Sequence, residues 1–175
     1  MIKRALISVW NKDGIVELGQ FLTDQNIEIL STGGTKKVLE EAGLEVISIS
    51  TLTGSDAVMD GRVKTLHPKV FGGILADREN PKHLHDLADI SGLAIDLVVV
   101  NFYPFVQETV KKKLEFKEAI EFIDIGGPSM LRAAAKNYHS VLPLCDTEVY
   151  SEFMETFTAT DGVIPLEFRK KMAAS

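Results

Sequence analysis

The chain has 175 residues, 45% of them hydrophobic and 25% charged, the values of an ordinary globular domain. They exclude a collagen, a disordered tail and a disulfide-stapled miniprotein, and roughly 70% of the unfolded surface is buried at this length, enough for one core without metals or bridges. With 19 basic against 25 acidic residues the net charge is −6, which repels polyanions and sets nucleic acid aside as a partner. The single cysteine, Cys145, follows the apolar run Val141-Leu142-Pro143-Leu144 and reads as a buried, reduced, inert thiol. No apolar run approaches a membrane span, so the cytoplasm is the expected compartment.

Apolar runs rich in β-branched residues alternate with stretches of helical period, which predicts βαβ units around a parallel sheet. Strands are expected at Ala5 to Val9, Ile27 to Ser31, Asp96 to Asn101 and Ser140 to Leu144, with weaker ones at Glu45 to Ile49 and Gly73 to Ala76. Helical spacing covers Ile15 to Leu22 behind Asp13 as N-cap, and Thr35 to Ala42 closing on Gly43. Further helices are expected at Pro81 to Leu93, Phe105 to Leu114, Lys117 to Phe122 and Pro128 to Asn137, with Pro128 at a first helical position. The tail carries a helix over Val149 to Phe157, a turn at Asp161-Gly162 and a helical pattern from Leu166 to Ser175. Residues 1–145 thus read as an α/β core and 146–175 as its helical extension, whose pattern breaks off as if more chain should follow.

In an open parallel sheet, ligands bind outside the carboxyl ends of the strands, so the residues just after each apolar run matter most. Lys12 follows the first. Thr32-Gly33-Gly34-Thr35 follows the second and opens a helix, where backbone amides and the helix dipole suit a phosphate; a plain tight turn is the equal alternative, since no Walker or Gly-x-Gly-x-x-Gly pattern is present. Asn101 and Tyr103 follow the buried strand. Between Gly61 and Lys69 lie three formal positive charges, and no acid occurs from Gly61 to Ala76 although acids outnumber bases overall. That local excess favours an anion site over a solvated basic face. Asp124 is the one acid between Glu121 and Asp146, and it precedes the glycine pair Gly126-Gly127. Alone it reads as a capping carboxylate; beside Lys64 and Lys136 it becomes a proton acceptor held between cations. Among the histidines, His83 and His85 lack metal-site spacing, and His67 alone is a candidate for catalysis.

Gly61-Arg62-Val63-Lys64-Thr65-Leu66-His67-Pro68, Asn101-Phe102-Tyr103-Pro104-Phe105, Ile123-Asp124-Ile125-Gly126-Gly127-Pro128 and Leu131-Arg132-Ala133-Ala134-Ala135-Lys136-Asn137 together resemble the N-terminal domain of the bifunctional purine-biosynthesis proteins. Those proteins join an inosine monophosphate cyclohydrolase to an aminoimidazole-carboxamide ribonucleotide transformylase. The resemblance implies a methylglyoxal-synthase-like α/β/α sandwich and the closure of 5-formamidoimidazole-4-carboxamide ribonucleotide to inosine monophosphate, with no cofactor or metal. It places the 5′-phosphate on Ser8, Lys12, Thr32, Gly33, Gly34 and Thr35. The heterocycle falls among Arg62, Lys64, Thr65, Asn101, Tyr103, Asp124, Gly126, Gly127 and Lys136. Lys64, Tyr103, Asp124 and Lys136 are the implied catalytic set: Lys64, Tyr103 and amides of the Gly126-Gly127 turn for the oxyanion, Asp124 with Lys136 as proton relay.

Some positions depart from the family. Trp10 and Asn11 stand where a hydroxyl and an acid usually precede Lys12, Phe71 where histidine is common and Phe102 where leucine is common. The transformylase portion is absent from this chain, so folate-dependent formyl transfer is not expected. The expected partner is a purine ribonucleotide, a homodimer stays open, and two rivals remain: a methylglyoxal-synthase-like lyase and a nucleotide-sensing module of the same fold.

Overall fold

In the computed structural model, which describes residues 1–102, 105, 109 and 113–175, five strands form one parallel sheet. They are β1 (Arg4–Val9), β2 (Glu28–Ser31), β3 (Ile47–Ser48), β4 (Leu97–Asn101) and β5 (Leu142–Leu144), in the spatial order β3-β2-β1-β4-β5. The winding therefore reverses between β1 and β4, where Ser8 pairs with Val100 and Val9 with Asn101.

Period-two alternation sorts the core into two layers. Ala5, Ile7 and Val9 of β1 and Leu97 and Val99 of β4 face one side. There they meet Ile15, Leu18 and Leu22 of α1 (Ile15–Asp24), Leu39 of α2 (Gly33–Glu41), Phe153 of α8 (Tyr150–Ala159) and Met172 of α9 (Leu166–Ala174). Leu6, Val98 and Val100 face the other side and meet α3 (Ile49–Thr53), α4 (Pro68–Leu75) and α7 (Gly126–Lys136). The result is an α/β/α sandwich, with α5 (Pro81–Asp89) and α6 (Phe116–Ala119) completing the described helices. No helix among the described residues is long and apolar enough to cross a membrane.

The expected strand over 73–76 is instead the end of α4. His67 caps that helix by accepting the Lys69 amide at 3.1 Å, Pro68 supplies a preset φ, and Val70, Gly73 and Ile74 form its buried stripe. A Cβ on Gly73 would lie 2.3 Å from the Leu93 carbonyl, so a glycine is needed there for close packing of the helix. α1 is capped by Gly14 in the left-handed region rather than by Asp13. α7 starts at Gly126, two residues before Pro128, which loses nothing because a first-turn amide has no intrahelical acceptor. Most of the helix expected over 105–114 lies outside the described residues.

Candidate active site

One cavity opens at the carboxyl ends of β1, β2 and β4, at the reversal point of the sheet, where doubly wound sheets bind ligands. Its walls come from Ser8 to Trp10, Lys12, Thr32 to Thr35, Lys64, Asn101 and Asp124.

The β1 exit is shaped by Asn101, the last residue of β4. Its Oδ1 accepts the amides of Trp10 at 2.7 Å and Asn11 at 2.8 Å, and its Nδ2 donates to the Asn11 carbonyl at 3.0 Å. A side chain thus continues the pairing that the sheet ladder abandons. Lys12 folds back so that Nζ donates to the Val9 carbonyl and, at 3.2 Å, to the Trp10 carbonyl. Burial lowers its pKa from the ordinary lysine value.

The β2 exit passes through extended Thr32 into Gly33 at φ +56°, a left-handed turn that glycine adopts without strain. A Cβ there would lie 3.6 Å from the Lys64 Nζ. The buried Thr35 hydroxyl donates to the Val9 carbonyl at 3.0 Å and accepts the Val9 amide at 3.2 Å, riveting the first turn of α2 to the end of β1. Thr32 makes no side-chain cap bond, so the first-turn amides of α2 keep no side-chain acceptor from that residue.

Asp124 lies just ahead of α7, with Oδ1 accepting the Gly127 amide at 3.0 Å. A Cβ on Gly127 would lie 2.4 Å from Asp124 Oδ2, and one on Gly126 would lie 2.7 Å from Thr65 Oγ1. The glycine pair is therefore required by close approach, since neither residue has a positive φ. Among the described residues no carboxylate lies within ion-pair distance of Lys64. Two lysines and one carboxylate face the cavity of a protein that is otherwise acidic, an arrangement suited to an anionic ligand with a proton to exchange.

A model described as the MGS-like domain matches residues 14–129, about two thirds of the chain. The chain belongs to the MGS-like domain family. Over 173 residues, 99% of its length, it is 50% identical to the bifunctional purine biosynthesis protein PurH of Clostridium kluyveri and 51% identical to that of Clostridium acetobutylicum, covering 34% of each. The PurH of Rhodospirillum rubrum is 51% identical over 174 residues, 99% of this chain and 33% of that one. This chain thus spans about a third of the length of those purine-biosynthesis relatives. The crystal structure of ForH matches with a TM-score of 0.84 at 35% identity, covering 99% of this chain and 90% of the other.

Within this MGS-like frame the cavity gathers Ser8, Lys12, Thr32, Gly33, Gly34, Thr35, Lys64, Asn101 and Asp124, with Trp10 in its wall. Other expected members stand elsewhere. Arg62 is exposed and pairs with Glu121, so the acid missing from the basic stretch is supplied by a distant segment. Thr65 is buried beneath the start of α7. The Gly127 amide donates to Asp124. Lys136 does not meet Asp124: it ends α7 and lines a separate cavity with Asp96 and Arg169. Eleven residues at a 1.5 Å rise put roughly 15 Å of helix between the two. His67 is a helix cap, and Cys145 is half-buried with its thiol pKa pushed up by burial. Tyr103 lies outside the described residues. Sequence reasoning missed the clamps made by Thr35 and Asn101, for which the only signal was a polar residue at a strand exit or first helical turn.

Proposed function

We propose that this domain is an inosine monophosphate cyclohydrolase, closing 5-formamidoimidazole-4-carboxamide ribonucleotide with loss of water. The observation that carries the reading is the meeting of Lys64 and Asp124 in one cavity with the Gly33-Gly34 turn. The kinship with PurH proteins supports it. The 5′-phosphate sits at the first turn of α2, with Lys12, Ser8 and Thr32 around it, where amides and helix dipole favour negative charge.

Closure needs the carboxamide nitrogen to attack the formyl carbon. Asp124 takes the amide proton as the carbon–nitrogen bond forms, and the formyl oxygen becomes a hydroxyl with a proton supplied from Lys64. Asp124 then returns its proton to that hydroxyl, which departs as water, and the second nitrogen proton passes to the Lys64 amine, so that the aromatic ring is complete and both side chains are restored. The Gly127 amide aims Asp124 by donating to its Oδ1. Lys64 meets the charge that develops on oxygen, a preorganised electrostatic contribution. Holding the formyl group in the cyclising rotamer supplies further rate, since ring closure is a problem of orientation.

The test is incubation with the formylated ribonucleotide while ultraviolet absorbance reports inosine monophosphate. Turnover that is lost on Lys64→Ala supports the cyclohydrolase. Methylglyoxal from a triose phosphate would instead identify a lyase, and nucleotide binding without turnover a sensor.

A further inference from the structure

Most of the cavity wall is polar. Ser8, Lys12, Gly33 and Gly34 suit an anion, Lys64 and Asp124 suit a reacting polar edge, and the Thr35 and Asn101 side chains are already bonded to the backbone of Val9 and of Trp10 and Asn11. The Val9 side chain is 5% exposed and belongs to a core layer. Among the described residues that leaves Trp10 as the one wall residue with a broad apolar face, and it is 41% exposed. Its backbone is held at both polar groups: the amide donates to Asn101 Oδ1 at 2.7 Å, and the carbonyl accepts from Lys12 Nζ at 3.2 Å. The indole therefore starts from a fixed point beside the lysine, with only its two side-chain torsions to settle.

A planar heterocycle takes hydrogen bonds at its edges and apolar or π surface on its faces. Lys64 and Asp124 serve the edges. We infer that Trp10 serves a face: its indole is the platform against which the ligand's flat ring lies, so the cavity selects a nucleotide over a bare sugar phosphate. The loop after β1 is then a specificity element as well as the bearer of Lys12. The inference rests on the nucleotide reading above for the class of ligand, and not for the reaction performed on it.

Trp10 is the single tryptophan of the chain, so its fluorescence tests the platform without any substitution. Titration with inosine monophosphate should change the emission along a saturation curve whose midpoint matches the calorimetric Kd. Ribose 5-phosphate, which carries the sugar and phosphate alone, should bind more weakly and leave the emission nearly unchanged. In calorimetry Trp10→Ala should weaken inosine monophosphate about 5- to 150-fold, the factor that stacking of a base on an aromatic ring contributes, and ribose 5-phosphate by less than about 2-fold. Trp10→Phe should keep most of the affinity. Equal weakening of both ligands in Trp10→Ala, unchanged affinity for inosine monophosphate in that variant, or emission that responds alike to the two ligands would each overturn the inference. The expected pattern in a chain that does not turn over the formylated ribonucleotide would overturn the cyclohydrolase reading and leave the platform standing.

Discussion

Replacing Gly127 by alanine probes the carboxylate proposed to take the amide proton, without altering it. The new methyl would stand 2.4 Å from Asp124 Oδ2 and 3.2 Å from both Asp124 Cγ and Val100 Cγ1. Real Cβ contacts stay beyond about 3.0 Å, so something must move. Val100 is locked in the core, whereas the Asp124 side chain is half-buried and can rotate about its own short stem. Rotation breaks its bond to the Gly127 amide, a charge-assisted contact of about 1.5–3 kcal/mol. If that contact serves the transition state, kcat falls roughly 10- to 150-fold, with KM little changed. Residual overpacking adds about 1 kcal/mol of destabilisation, or about 2–4 °C in Tm for a domain of this size. Steady-state absorbance kinetics and a thermal melt on the same sample give both numbers. Wild-type kcat in a folded Gly127→Ala protein would refute the role given to Asp124, as would a loss confined to KM.

Other outcomes follow from the same geometry. Lys64→Ala should lower kcat by about 10²–10³ in the absorbance assay, the usual effect of removing one oxyanion donor, and leave the thermal melt unmoved because the side chain is exposed. Lys12→Ala should mainly raise KM, by about 10-fold. Because burial lowers the Lys12 pKa, wild-type affinity for the nucleotide should begin to fall at a pH below the ordinary lysine value of 10.5, and titrations across the alkaline range should find that limb missing in Lys12→Arg. Thr35→Val strands the buried Val9 amide, and denaturant unfolding should register about 1–3 kcal/mol of lost stability. Tyr150 keeps its proton up to about 12 in the folded chain and only to 10 when unfolded, so its contribution is full below pH 10 and lost as pH rises toward 12. Chemical melts should show about 2–3 kcal/mol of that loss absent from Tyr150→Phe.

The strands and most helices were legible because their signals are local. Alternation from Ala5 to Val9 sorts two core layers whatever lies across the sheet, and Gly33 and Gly43 mark left-handed turns set by their own φ angles. The strand expected over 73–76 failed for the opposite reason, since the Leu93 carbonyl against which Gly73 packs in the helix lies twenty residues on. Part of the cavity was legible as a list of strand exits, which is why Lys12, the Thr32 to Thr35 turn and Asn101 converge there.

Which polar groups stay available was decided only in three dimensions. Arg62 found Glu121, Thr35 found Val9, and Asn101 found the Trp10 and Asn11 amides, all pairings between segments that sequence leaves unrelated. A helix that begins at the site must carry its last turn away from it, so Lys136 ends near Asp96 at the other pole of the sheet. Sequence fixes residue types and local direction through short-range sterics, whereas hydrogen-bond and charge partners depend on distances that exist only once the layers have packed.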